Sequence, residues 1–326
     1  MGIRNLTTLI KEKSPESINT IALYTLQNKT VAIDTSIFLY KSLVNVRSNG
    51  DYLRNKDDKI ISHIVGLMNK TIQYLKVGII PVYIFDGKPP SEKQTVLNER
   101  NKKANESKLL SEKSTSIEEK QKHEKSSIRI KKHHIDDLKR LFDLMGISYI
   151  QANGEAEAYA SELCRKGYVD YVVSEDMDTL VHGCPNMIRS CLDRSIKRRD
   201  VVSTINLEKV LKDFNMNMNE FTDMCILSGC DYCPTIPKIG ATRSFNTIQK
   251  YKSIEKFIES NTCSNIPQEF IDNYNAARQL FTIFKDSIEE SPIHEKNCNQ
   301  ELLKQYLKDE CSLNDKRIQQ IIQSVI

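Results

Sequence analysis

Three short apolar runs, each ending in an acid, set the architecture. Val31-Ala32-Ile33 leads into Asp34, Pro81-Val82-Tyr83-Ile84-Phe85 into Asp86, and Tyr171-Val172-Val173-Ser174 into Asp176 and Asp178. Brief continuous apolar runs rich in β-branched and aromatic residues read as strands buried on both faces, as in a parallel sheet between helices. In an open sheet of that kind the carboxyl ends of the parallel strands share one edge, where ligands bind. Three strands then deliver four acids to one rim. The expected fold class is α/β, with a mostly parallel central sheet flanked by helices.

Three further acids join them. Glu155 and Glu157 open the helical-looking stretch EAEAYASELCRKG after Gly154, and Asp231 sits in GCDYC. Two residues apart on a regular helix, the glutamates would not share a face, so they are placed at its frayed start, aimed at the cavity. Taken alone, the pair fits equally well acids that favour a helix N-terminus through its dipole. Seven carboxylates in one pocket repel strongly unless cations neutralise them. A divalent-metal site follows, and oxygen-only ligands favour magnesium or manganese over zinc.

The bulk numbers exclude several classes. The chain has 326 residues, 39% hydrophobic and 28% charged, enough for one elaborated domain or two. No run of 18 apolar residues occurs, and the start MGIRNLTTLIKEK lacks the apolar stretch of a signal peptide. Neither export nor a membrane is indicated. Nine cysteines in no scaffold-like pattern suit reduced thiols inside a cell. Cys225, Cys230 and Cys233 reproduce an iron–sulfur spacing, but FTDMCILSGC reads as an amphipathic helix with Cys225 among its apolar positions.

Charge is unevenly spread. The net value is only +4, yet Lys88 to Arg140 carries 15 Lys or Arg against 9 Asp or Glu. From Ser91 through Met145 there is neither Gly nor Pro, and from Arg100 to His134 no aromatic residue. Such a stretch can form helices but has little to bury, so it should project into solvent, where a phosphate backbone could use its charge. From composition alone, a solvated charged hairpin without a role remains the alternative. Downstream, Met187-Ile188-Arg189-Ser190 reads as a strand leading into a basic turn, Arg194 to Arg199. After Asp231 the chain reads helical in TRSFNTIQKYKSIEKFI, FIDNYNAARQLFTIFKD and NQELLKQYLKDE. The expected organisation is an N-terminal region over 1–100, a basic insertion over 101–134, an internal region over 135–234 completing the same core, and a helical region over 235–326.

The segments MGIRNL, VAIDTSIFLYKSLVNVR, VYIFDGKPPSEK, LMGISYIQANGEAEAYASEL, SEDMDTLVHG and FTDMCILSGCDYC resemble the flap endonucleases of the xeroderma-group-G type 5′-nuclease superfamily, in order and with similar spacing. The resemblance runs from Met1 to roughly Thr262 and implies a PIN-like 5′-nuclease core. It implies that Asp34, Asp86, Glu155 and Glu157 serve one magnesium and Asp176, Asp178 and Asp231 a second, with Glu157 facing both and manganese able to substitute. It implies hydrolysis of branched or flapped DNA to a 5′-phosphate and a 3′-hydroxyl. Lys93 and Arg100, two helical turns apart, match the family's basic gateway residues; on spacing alone they would read as surface solubility groups. Tyr40 matches the tyrosine against which a base stacks, although by itself it also fits a packing residue. Arg47 would help separate the duplex arms at a junction, and Gly2 would lie near the active site. The stretch Arg100 to Lys132 would be the arch that a free 5′ end threads, ordering on the correct DNA.

Departures qualify these expectations. Lys238, Gly240 and Arg243 lie in PKIGATRS, where the family carries a Gly-x-Gly hairpin, in a helix–two-turn–helix, that binds duplex backbone with a monovalent ion. Lysine lacks the backbone freedom of the first glycine, which puts potassium binding in doubt. Ile61 stands where relatives often have a threonine near a pocket for a one-nucleotide 3′ flap. Without a sliding-clamp motif or basic tail before Ile326, no tethering by that route is expected. A monomer working in a nucleus or at a viral replication site is expected. The alternatives are an exonuclease or gap-cutting relative, and a catalytically silent junction-binding scaffold.

Overall fold

The computed structural model describes residues 2–48, 51–114, 116–198, 200–263, 265–284, 288–294 and 296–325, the side chains at 117 and 121 excepted. Met1, Arg199 of the basic turn, Lys285 and Asp286 at the end of one helical segment, and Ile326 lie outside the described residues.

In chain order the N-terminal half contains α1 (Leu6–Lys13), β1 (Ile18–Ala22), β2 (Thr30–Asp34), α2 (Thr35–Asn45), β3 (Arg47–Ser48), β4 (Asp51–Tyr52), α3 (Ser62–Leu75), β5 (Ile80–Phe85), α4 (Gln94–Lys113), α5 (Ile117–Ser127) and α6 (Lys132–Met145). Next come β6 (Tyr149–Gln151), α7 (Ala156–Arg165), β7 (Tyr171–Val173), α8 (Asp178–Val181), β8 (Asn186–Ser190), β9 (Val201–Asn206), α9 (Leu207–Phe214) and α10 (Met218–Ser228). The remainder is helical: α11 (Ala241–Tyr251), α12 (Ile254–Glu259), α13 (Gln268–Thr282), α14 (Gln300–Asp309) and α15 (Asp315–Val325).

Seven strands form one sheet in the order β1-β9-β8-β7-β2-β5-β6. Strand β2 pairs in parallel with both β5 and β7, so Ile33 lies beside Tyr83 and Val173. Side chains alternate across this sheet as the pleat requires. Ala32, Val82, Ile84 and Val172 face one core, while Val31, Ile33, Tyr83, Phe85 and Val173 face the other. Helices cover both faces, which is why these strands read as continuous apolar runs. The antiparallel edge, β1 on β9 and β9 on β8, escapes that signature. Strand β1 leaves Asn19 and Thr20 exposed, so INTIA shows no apolar run.

The basic stretch folds as a hairpin of α4 against α5, with only Ala104 and Ser111 of α4 buried. Three expectations need correction. Lys93 ends a 3-10 turn over Ser91–Lys93 and precedes α4, so it and Arg100 do not share one regular helix. The segment TRSFNTIQKYKSIEKFI is two helices, broken at Lys252 with φ +69° and restarted where the Ser253 side chain accepts from the Lys256 N–H. Lys238 adopts the left-handed backbone expected of glycine, at φ +66°. That conformation costs a non-glycine residue about 1–2 kcal/mol, and the Arg243 guanidinium donates to the Lys238 carbonyl at 3.0 Å.

Candidate active site

Neighbouring strands place the first acids side by side. Asp34 ends β2 and caps α2, accepting the Ser36 N–H at 3.0 Å, while the Ser174 hydroxyl approaches its other oxygen at 3.4 Å. Asp86 follows β5; Oδ1 accepts the N–H of Ala156, the first residue of α7, at 2.9 Å, and Oδ2 accepts the Ser36 hydroxyl. That bond draws the start of α7 to the rim, with Glu155 at its N-cap and Glu157 in its first turn. Beyond β7, Asp176 Oδ1 accepts the Asp178 N–H at 3.1 Å. Asp178 is 3% exposed, and its Oδ1 is buried without a hydrogen-bond partner among the described residues.

Electrostatics shows the crowding. Burial pushes Asp34 up to about 8, with Asp86 and Asp176 adding to the shift. Burial also lifts Glu157 well above the carboxylate range, helped by Asp34, Asp86, Asp176 and Glu155. Asp178 is raised by burial and by Asp176 and Asp231, and Asp176 chiefly by burial. Each mutual shift requires the acids to be near neighbours, so residues from five segments share one field. A hard cation answers such a field, and an orphaned carboxylate oxygen on Asp178 is the acceptor one would use.

Cations of this chain already face it. Lys93 contacts Glu155 Oε1, and the Arg100 guanidinium donates to Asp231 Oδ2. Burial alone would lower the Lys93 ammonium, but Glu155, Glu157 and Asp231 carry it above its ordinary value. The Tyr232 hydroxyl donates to Glu155 Oε2. Among the described residues, no three His, Cys, Asp or Glu side chains are grouped closely enough to grip one ion. The donor chemistry fits a divalent cation, while Glu155 and Asp231 at present face Lys93 and Arg100. Gly2, at φ +73°, sits so close that a Cβ there would lie 1.8 Å from Asp176 Oδ1.

The remaining expected residues surround this centre. Tyr40 is 37% exposed, and its hydroxyl reaches the Lys125 carbonyl of α5 at 3.5 Å. Arg47 lies 3.8 Å over the Tyr52 ring and donates to the Val44 carbonyl. Lys238 and Arg243 line one groove with Lys250, and Gly240 precedes α11. Cys225 is buried in α10, and the cysteines are free thiols. The sequence reading missed four groups. Ser36 and Tyr232 bond site acids, and Glu175 is held by Lys41 at 2.8 Å and Arg189 at 3.4 Å. His182 is buried, and its Nε2 has no hydrogen-bond partner among the described residues. Adjacency to Asp34, Asp176 and Asp231 was the available signal for three of them; nothing in the sequence marks His182.

An acid-lined rim on this mixed sheet, beneath a basic helical hairpin, defines a nuclease of the 5′-nuclease fold. Two family models match, the XPG N-terminal domain over residues 1–107 and the XPG I-region over 146–231. Flap endonuclease 1 of Glycine max is 39% identical over 287 residues, covering 86% of this chain and 74% of that protein. Flap endonuclease 1 of Caenorhabditis elegans is 34% identical, covering 98% and 84%. The solved flap endonuclease-1 of Methanococcus jannaschii superposes with a TM-score of 0.71 at 27% identity, covering 94% and 95% of the two chains. The catalytic core of Rad2 in complex with DNA substrate shares the fold, with a TM-score of 0.75 at 19% identity over the whole of both chains. The chain belongs to the flap endonuclease family.

Proposed function

We propose that this protein is a structure-specific 5′ flap endonuclease, with 5′-3′ exonuclease activity on the same site, that hydrolyses phosphodiesters in DNA replication and repair. The observation that carries this reading is the pairing of Lys93 and Arg100, at the base of a basic helical hairpin, with Glu155 and Asp231 of the acid rim. Asp34, Asp86, Glu155 and Glu157 would hold one magnesium ion and Asp176, Asp178 and Asp231 a second, with Glu157 shared and manganese as a substitute. Two such ions activate a water on one side of a phosphodiester and stabilise the leaving oxygen on the other. Ligation requires Glu155 and Asp231 to exchange their present partners, and a phosphate is what Lys93 and Arg100 would take in return. The two side chains then lie against the charge that develops on the scissile group.

The other elements supply recognition. Tyr40 offers a stacking face beside the arch, worth roughly 1–3 kcal/mol per base and indifferent to sequence. Arg47 lies on the small hairpin β3–β4, where it would separate duplex arms. Lys238, Gly240 and Arg243 would hold duplex phosphates, with or without potassium. The division of labour follows: residues 1–100 and 135–234 carry chemistry, 101–134 gate the free end, and 235–326 grip duplex. The protein would act as a monomer on branched DNA inside a cell; among the described residues, no helix is long and apolar enough to cross a membrane.

Cleavage mapping on a labelled double-flap substrate with magnesium, with and without potassium, tests this. Incision at the junction, releasing the flap, is expected. Uncut flaps with either magnesium or manganese would overturn the reading, and single-nucleotide products from blunt ends in preference to flap incision would shift it toward an exonuclease.

A further inference from the structure

Tyr232 lies outside every group assigned above, yet it touches two of them. Only 4% of its surface is exposed, and the Phe281 ring packs against it edge-on with centroids 5.0 Å apart. From this fixed ring the hydroxyl donates to Glu155 Oε2. On the other oxygen of the same carboxylate sits Lys93, whose Nζ is 5.6 Å from the Tyr232 ring centroid. One buried side chain therefore seats both an acid and an arch-base cation from segments far away in sequence. Both need such a seat. Glu155 is the N-cap of α7 but its side chain makes no capping hydrogen bond, and Lys93 precedes α4 with no capping bond of its own.

We propose that Tyr232 is a positioning residue for the nuclease reaction. Its hydroxyl fixes the Glu155 carboxylate through Oε2, and its ring seats Lys93. Oε1 is left as the oxygen that Lys93 releases when a phosphate arrives. A neutral phenol suits this task, because it orients an anionic ligand without spending the negative charge a cation needs, as a lysine or arginine there would. The inference rests on the flap-nuclease reading and on Glu155 as a ligand.

Three variants of the full chain test it. Tyr232→Phe removes the hydroxyl and keeps the ring, Tyr232→Leu removes both, and Phe281→Leu loosens the packing while leaving the hydroxyl. Manganese binding is read directly by electron paramagnetic resonance titration without DNA, and flap cleavage by substrate saturation. Tyr232→Phe should bind manganese roughly 10- to 100-fold more weakly, with kcat reduced and KM for flap DNA unchanged. Tyr232→Leu should lose more of kcat, because Lys93 also loses its seat. In a Glu155→Gln background, adding Tyr232→Phe should weaken manganese binding no further, since the effect passes through Glu155. Wild-type manganese affinity in Tyr232→Phe, an additive loss in the double variant, or a larger loss in Phe281→Leu than in Tyr232→Phe would overturn the proposal. Were the wild type to leave flaps uncut while Tyr232→Phe still weakened manganese binding, the positioning role would stand and the flap-nuclease reading would fail.

Discussion

Replacing Gly2 by alanine probes how tightly the chain start abuts the acid rim. The added Cβ would lie 1.8 Å from Asp176 Oδ1 and 2.6 Å from Asp178 Oδ1, where real contacts essentially never fall below 3.0 Å. Something must therefore move by more than about an ångström, and a displacement of that size at reacting groups costs on the order of 100-fold in rate. The chain cannot easily retreat: Ile3 is 4% exposed, and the Arg4 N–H bonds the Gly229 carbonyl at 3.1 Å. The φ of +73° at Gly2 adds about 1–2 kcal/mol for any L side chain. Single-turnover cleavage of a 5′ flap in magnesium should slow by about two orders of magnitude. Flap affinity in calcium should stay close to that of the wild type, while the melting temperature falls by a few degrees, as that strain implies. A wild-type single-turnover rate for Gly2→Ala would refute the placement of this residue against the acids.

Further outcomes follow from the same structure. Because the folded pKa of Asp34 is raised from 3.8 to about 8, its contribution to stability is fully present below 3.8 and lost as pH rises through 8. Millimolar calcium should thus raise the melting temperature progressively more from pH 5 to pH 8; a shift independent of pH would contradict a cation at these acids. Burial, with Lys93 and Arg165 nearby, lowers His182 from 6.5 to about 3, so its neutral form stabilises the fold above 6.5 and that stability falls as pH drops toward 3. The difference in stability between wild type and His182→Phe in denaturant titrations should fall by about 1.4 kcal/mol per pH unit below 6.5, the variant lacking the histidine's contribution. Lys93→Ala and Arg100→Ala should each lower kcat by about 100-fold or more, with flap affinity in calcium little changed. Phe142 stacks on Tyr83 with centroids 4.2 Å apart and is fully buried, so Phe142→Ala should cost about 3–5 kcal/mol in urea unfolding.

Much of the site was legible because chemistry and local order coincide in it. Asp34, Asp86 and Asp176 follow apolar runs that read as buried strands, and parallel pairing of β2 with β5 and β7 brings their ends together. What escaped were contacts that no local pattern encodes. Tyr232 reaches Glu155 across 77 residues, and β1 reaches β9 from the opposite end of the core through an edge strand whose exposed residues carry no apolar signature. Lys238 was expected to lack glycine's freedom, yet it takes the left-handed backbone, with Arg243 bonding its carbonyl.

By itself the chain fixed the kinds of groups present, the order in which they arrive and the strands that carry them, since burial of short apolar runs leaves few other arrangements. Tertiary packing alone decided which carboxylate meets which cation. That choice depends on side chains from distant segments meeting at a largely buried rim, where a contact of a few ångströms outweighs any preference written along the backbone.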